Sequence, residues 1–214
     1  RRVLFRSSAT RPSAIIFSAS RREQTPARAI TLAMRSPLPA LSSFASVILA
    51  FNLIEAFGTV QAMEEQDLVF IEMALEEARA AGARGEVPVG AVLVDGDGTV
   101  LARNGNRIVE LHDPTAHAEM LALREGARVL GNERLTGTAL FATLEPCAMC
   151  AGAVAHARVG RLVYAAADPK GGAVEHGSRF FELATCHHRP RIERRGDSVA
   201  AGNLLRDFFR ARRG

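Results

Sequence analysis

The residues able to do chemistry fall in two short blocks, His117-Ala-Glu119 and, thirty residues on, Pro146-Cys147-Ala-Met-Cys150. Cysteines three apart share one face of a helix. The spacing puts both in the first turn, with Pro146 at the first helical position, where its missing N–H costs nothing. A helix N-terminus stabilises negative charge and so favours thiolates. Two thiolates and the His117 imidazole make three zinc ligands and leave a fourth position open, the pattern of a catalytic rather than a closed structural site. An open zinc site lowers the pKa of water towards ~7 and makes hydroxide available at neutral pH. Glu119 then fits the role of proton shuttle, not ligand. Spacing alone does not establish its reach, because positions i and i+2 do not share a helix face.

Taken singly, each block has a plainer reading. A Cys-x-x-Cys pair also serves as a redox couple or half of a structural zinc site, and a His-Ala-Glu at a helix start also serves as a cap with surface charge. Together, in this order and each at a helix N-terminus, they favour the open zinc site.

The elements that must position these blocks are legible from Met63 onward. Leu68, Ile71, Leu75 and Ala78 recur at helical spacing over residues 65–81, with Gly82 and Gly85 ending the helix. Two β-rich runs, 89–95 and 99–104, flank Asp95-Gly-Asp-Gly98, a hairpin signal. Asp113-Pro-Thr115 is a stop and cap candidate before a helix over 116–130 that Gly131 closes. A buried strand follows at 138–144, then a helix from Pro146 to about Ala157 and a strand at 161–167. The remainder reads as a helical Ser178–Ala184, a short strand at 191–194 and a last helix over 200–213. A hairpin followed by alternating helices and strands predicts one layered α/β domain with a mixed sheet.

Composition narrows the classes. Of 214 residues, 48% are hydrophobic, enough for a core, which excludes a wholly disordered chain. Three cysteines exclude a disulfide framework, and no tryptophan with one tyrosine argues against aromatic-rich base stacking. The net charge of +4 is uneven: residues 1–62 carry eight arginines against Glu23 and Glu55, whereas residues 63–214 balance at −2. Any nucleic-acid footprint on the domain is therefore local, and Arg189–Arg213 supplies one, with eight arginines against Glu193, Asp197 and Asp207.

Residues 1–62 are expected to be a disordered targeting segment or a spurious N-terminal extension, apart from the domain at 63–214. Residues 1–39, basic, Ser-rich and acid-poor, have the composition of an organelle transit peptide. The apolar stretch 40–60 is marginal for a membrane span because Asn52 and Glu55 interrupt it. The alternative is an extension upstream of the true start, since Met63 opens an acidic helix. The domain is thus expected in the cytoplasm, or in a mitochondrion or plastid if residues 1–62 are a genuine transit peptide, with no membrane association for 63–214.

The pattern H-x-E…P-C-x-x-C is the known signature of zinc-dependent nucleobase deaminases. From about Glu64 to Arg213 the chain closely resembles the bacterial-type tRNA-specific adenosine deaminases. The resemblance rests on EVPVGAVLV (86–94), Asn106 with HDPTAHAE (112–119), TLEPCAMCAGA (143–153), Asp168 with Lys170, and DFFRARR (207–213). It implies a three-layer α/β/α cytidine-deaminase-like fold around a central mixed five-stranded sheet, a homodimer, one zinc ion per subunit, and a tRNA anticodon arm as partner. It implies hydrolytic deamination of the wobble adenosine to inosine, with His117, Cys147 and Cys150 as zinc ligands and Glu119 as general acid/base. On the same ground Asn106 would contact the flipped-out nucleoside, and Asp168, beside Lys170, would read the 2′-hydroxyl of the preceding ribose. Phe209, Arg210, Arg212 and Arg213 would lie along the anticodon arm.

Two departures stand out. Ala167 occupies a position where the family often has arginine, and within 173–190 Glu175-His176 looks inserted, which puts contacts from this loop in question. Cys186-His187-His188 shows no fourth ligand and reads as a loop thiol with two solvent histidines. Two other functions stay open: a free-base or nucleoside deaminase acting on guanine or cytosine, which has less use for a basic terminal helix, and a non-catalytic zinc-containing RNA-binding subunit, which has no need of Glu119.

Overall fold

The computed structural model describes residues 44–213. The transit-peptide-like stretch 1–39 lies outside them. A compact unit, Ile54–Gly214, holds the whole sheet. Helix α1 runs Phe44–Ala83, so the helix expected from residue 65 begins further upstream, within the apolar stretch 40–60. No described helix is long and apolar enough to cross a membrane.

Strands β1 (Gly90–Val94), β2 (Val100–Gly105), β3 (Ala139–Leu144), β4 (Arg161–Ala166) and β5 (Arg191–Arg194) form one sheet in the order β2-β1-β3-β4-β5. β1 is antiparallel to both β2 and β3, whereas β3–β4 and β4–β5 are parallel. The sheet is mixed, as expected. The hairpin closes through Asp95, whose Oδ1 accepts the N–H groups of Asp97 and Thr99, with Gly98 at φ +83°.

Period-2 alternation divides the core in two. Ala91, Leu93, Leu140, Ala142, Leu162 and Tyr164 pack with α2 (Ala118–Leu130) and α3 (Ala148–His156). Val92, Val94, Phe141, Val163 and Ala165 pack with Phe70, Ile71, Ala74 and Leu75 of α1 and Ala201 of α4 (Ser198–Ala211). Helices therefore cover both faces, which is why β1 is a continuous apolar run buried along its length.

α1 lies close on the hairpin because two glycines paired across it, Gly90 and Gly105, have no side chain. A Cβ at Gly90 would stand 2.0 Å from the Ala74 carbonyl oxygen, and one at Gly105 2.5 Å from that of Glu77. Gly90→Ala should therefore force α1 off the sheet at a cost of about 1–3 kcal/mol, read as a lower urea midpoint.

Several local expectations are corrected. α3 begins at Ala148 with Cys147 as its N-cap, not at Pro146, whose carbonyl instead accepts the N–H of Ala173. Asp113 caps no helix: its Oδ1 accepts the N–H and hydroxyl of Thr115 within the loop, and His117 is the N-cap of α2. Residues 178–184 hold only a 3₁₀ turn, Phe180–Glu182, because Gly177 and Arg179 both take positive φ and prevent a regular helix.

Candidate metal centre and substrate groove

Two helix N-termini converge on one point. Asn106, at the end of β2, fixes the first: its buried Oδ1 accepts the N–H of Ala118 at 2.8 Å, supplying the cap that His117 does not. His117 stays extended (φ −70°, ψ 151°) ahead of α2. Its side chain is thus released from the helical direction, so the i,i+2 spacing does not keep His117 and Glu119 from facing one site. The second is α3, where Cys147 is likewise extended and Cys150 lies one turn in.

The cluster has the dimensions of a metal site. Cys147 Sγ lies 3.8 Å and Cys150 Sγ 3.6 Å from His117 Nδ1, and the two sulfurs are 3.6 Å apart. Tetrahedral zinc with bonds of about 2.0–2.3 Å separates its ligands by about 3.5–3.8 Å. Among the described residues, His117, Cys147 and Cys150 are the one group of three His, Cys, Asp or Glu side chains so gathered. Glu119 supplies a second test. It is 3% exposed, and its Oε2 is buried without a hydrogen-bond partner, as expected of a carboxyl whose partner belongs to the reaction.

Electrostatics agree with that arrangement. The side-chain hydrogen bond between the Cys147 and Cys150 sulfurs holds the Cys147 thiol down at about 4. Cys150 itself is pushed up, by that same bond and by burial. The Cys147 contact raises His117. Burial raises Glu119, against the opposing charge of His117. A cation bound here would hold both cysteines as thiolates and displace their protons.

A groove of about 730 Å³ opens at the end of the sheet where β3 leads into Cys147, between Leu144, the 166–170 loop and α4. Asp168 and Lys170 line it on one side, and Arg206, Phe209 and Arg213 on the other. The Asp168 carboxylate already accepts the N–H groups of Lys170 and Gly171 at Oδ1, leaving Oδ2 for a ligand. Arg210 is not brought into this groove: its side chain is 81% exposed and pairs with Asp207. Arg206, one helical turn before it and on the groove face, has that place instead. Arg212 packs over the Phe208 ring at 3.9 Å and donates to the Gly85 carbonyl, pinning α4 to the end of α1.

Two buried carboxylates were given no role by motif spacing. Glu86 accepts the N–H groups of Val109 and Glu110, holding the loop ahead of His117. Glu145 holds the 168–176 loop. Burial alone would raise Glu145, but N–H donors from Asp168, His176 and Val174 bring it down to about 2. Its contribution to stability is therefore complete above its unfolded value and is lost as pH falls towards 2. Cys186 and His188 are structural: the thiol donates to the His188 carbonyl, and His188 Nε2 meets the Val159 carbonyl oxygen.

Comparison with known proteins yields one family profile, the cytidine and deoxycytidylate deaminase zinc-binding region, matching residues 64–166. A tRNA-specific adenosine deaminase of Agrobacterium fabrum is 56% identical over 144 residues, 67% of this chain and 94% of its own. A solved structure from a study of A-to-I editing by tRNA:A34 deaminases at the wobble position is 54% identical, with a TM-score of 0.61, covering 64% of this chain and 98% of that one. A guanine deaminase from Nitrosomonas europaea is 27% identical, with a TM-score of 0.54, covering 65% of this chain and 82% of that one.

Proposed function

This chain belongs to the tRNA-specific adenosine deaminases, within the family of the cytidine and deoxycytidylate deaminase zinc-binding region, and from that membership we propose that it converts adenosine at the wobble position of a tRNA anticodon to inosine. Water is consumed and ammonia leaves. The observation that carries the reading is the juxtaposition of a three-ligand cluster with the buried carboxyl of Glu119, whose Oε2 has no hydrogen-bond partner.

His117, Cys147 and Cys150 would hold zinc, which supplies Lewis-acid activation of a water for attack on C6 of adenine. Glu119 takes one proton of the attacking water and delivers it to the ring nitrogen, then takes the proton of the new C6 hydroxyl and passes it to the amine, so that the C6–N bond breaks, C6=O forms and ammonia leaves. Burial suits it to this work by raising its proton affinity towards the working pH. Asn106 spends its Oδ1 on Ala118, and its amide N–H groups serve the extruded nucleoside. Oδ2 of Asp168 serves a ribose hydroxyl, the group that distinguishes RNA from DNA. Lys170, Arg206 and Arg213 answer backbone phosphates, and Phe209, 42% exposed, offers a face for stacking. An anticodon loop presents bases already partly unstacked, so extrusion costs little.

The subunit is proposed to work as a homodimer in the cytoplasm. Light scattering of the purified chain tests the first statement. Mass spectrometry of the native N-terminus tests the second, since cleavage within residues 1–62 would move the protein to an organelle.

The decisive assay incubates zinc-loaded protein with an arginine tRNA bearing adenosine at the wobble position, and separately with free adenosine, guanine and cytosine. Inosine in the tRNA alone is the expected result. Turnover of guanine instead, which the Nitrosomonas likeness makes the competing outcome, would keep the chemistry and overturn the substrate. Zinc and tRNA binding without ammonia release would reduce the protein to a non-catalytic RNA-binding subunit.

A further inference from the structure

The Glu145 side chain is fully buried and lies in the strand-to-helix connection two residues before Cys147. The 168–176 loop closes around it. Oε1 accepts the N–H groups of Val174 at 3.0 Å, Glu175 at 2.8 Å and His176 at 3.0 Å. Oε2 accepts that of Asp168 at 2.9 Å and meets His176 Nδ1 at 2.7 Å. The wrap is so close that a Cβ at Gly172 would stand 2.4 Å from the Glu145 carboxyl carbon. One carboxylate thus joins the segment that carries the cysteines to both ends of the loop that carries Asp168 and Lys170.

We infer that Glu145 and His176 form a clasp that positions the 168–170 wall of the groove relative to the metal centre, making His176 a positioning residue for substrate engagement. Neither side chain belongs to the metal-ligand cluster, so the effect reaches substrate through the loop backbone. The inference rests on the proposed tRNA reading for its substrate but not for its geometry. Residues 175 and 176, which looked inserted, are in this chain the means of closure. His176 completes the clasp from the loop side, whereas Glu145→Gln would also disturb the segment leading to Cys147. His176 is therefore the better place to test it.

In the full chain, His176→Ala removes one contact to Oε2 and leaves the four backbone donors. KM for tRNA should rise about three- to tenfold with kcat within twofold of wild type and zinc content unchanged, because only binding common to ground and transition states is lost. His176→Asn, whose amide N–H reaches the place of Nδ1, should restore KM. Amide hydrogen exchange should quicken across residues 168–176 in His176→Ala and return to the wild-type rate in His176→Asn. Unchanged KM with unchanged exchange would overturn the inference, as would a fall in kcat at constant KM or failure of asparagine to rescue. If the wild-type chain forms no inosine in tRNA, the substrate reading falls by itself, and the exchange pattern still decides whether the clasp exists.

Discussion

Glu119→Gln is expected to lower tRNA deamination by about 10²–10⁴-fold, the range for loss of a positioned general acid/base, with zinc content and melting temperature close to wild type. Glutamine has the shape of glutamate and keeps its hydrogen-bonding oxygen, but cannot take up and release a proton at neutral pH. The structure isolates that difference. Glu119 is buried at the second helical position of α2, its Oε2 has no partner, and it is not among the three clustered ligand atoms. Single-turnover rates on a wobble-adenosine tRNA, beside metal content by atomic emission, would measure it. Near-wild-type turnover with zinc bound would remove Glu119 from the proton path. Zinc loss in the variant would instead make it a ligand.

Removing the metal should have a comparable effect for a different reason. Chelation, or Cys150→Ala, is expected to abolish turnover by about 10³-fold or more, since Lewis-acid activation contributes several kcal/mol and each 1.4 kcal/mol is about tenfold. Added zinc should restore the chelated wild type but not Cys150→Ala, because two ligands remain where a catalytic site takes three. The fold should survive chelation. The sheet and its two apolar layers are complete without the ligand cluster, and without metal the two sulfurs and His117 satisfy one another. Circular dichroism before and after chelation checks this, and loss of helical signal would show that the metal holds the domain together.

The hairpin at Asp95–Gly98, the mixed sheet and the clustering of His117, Cys147 and Cys150 were legible in the sequence, because their signals are short-range patterns. Turn chemistry, period-2 alternation and the i,i+3 relation operate locally and survive without knowledge of what lies opposite. Packing decided the rest. Pro146 sits outside α3 because its carbonyl is taken by Ala173, a residue of the following loop. Arg206 rather than Arg210 faces the groove because the apolar side of α4 settles its rotation against the sheet. Asn106 became the cap of α2 from twelve residues upstream, while Asp113, nearer and of an equally good capping type, spent its carboxylate on its own turn. Glu145 is the extreme case. Its partners lie 23 to 31 residues away, so nothing in its neighbourhood along the chain marks it as different from any glutamate at a strand end. A buried carboxylate must find donors, but which donors it finds depends on the folded path of the chain, and only the tertiary structure states that path.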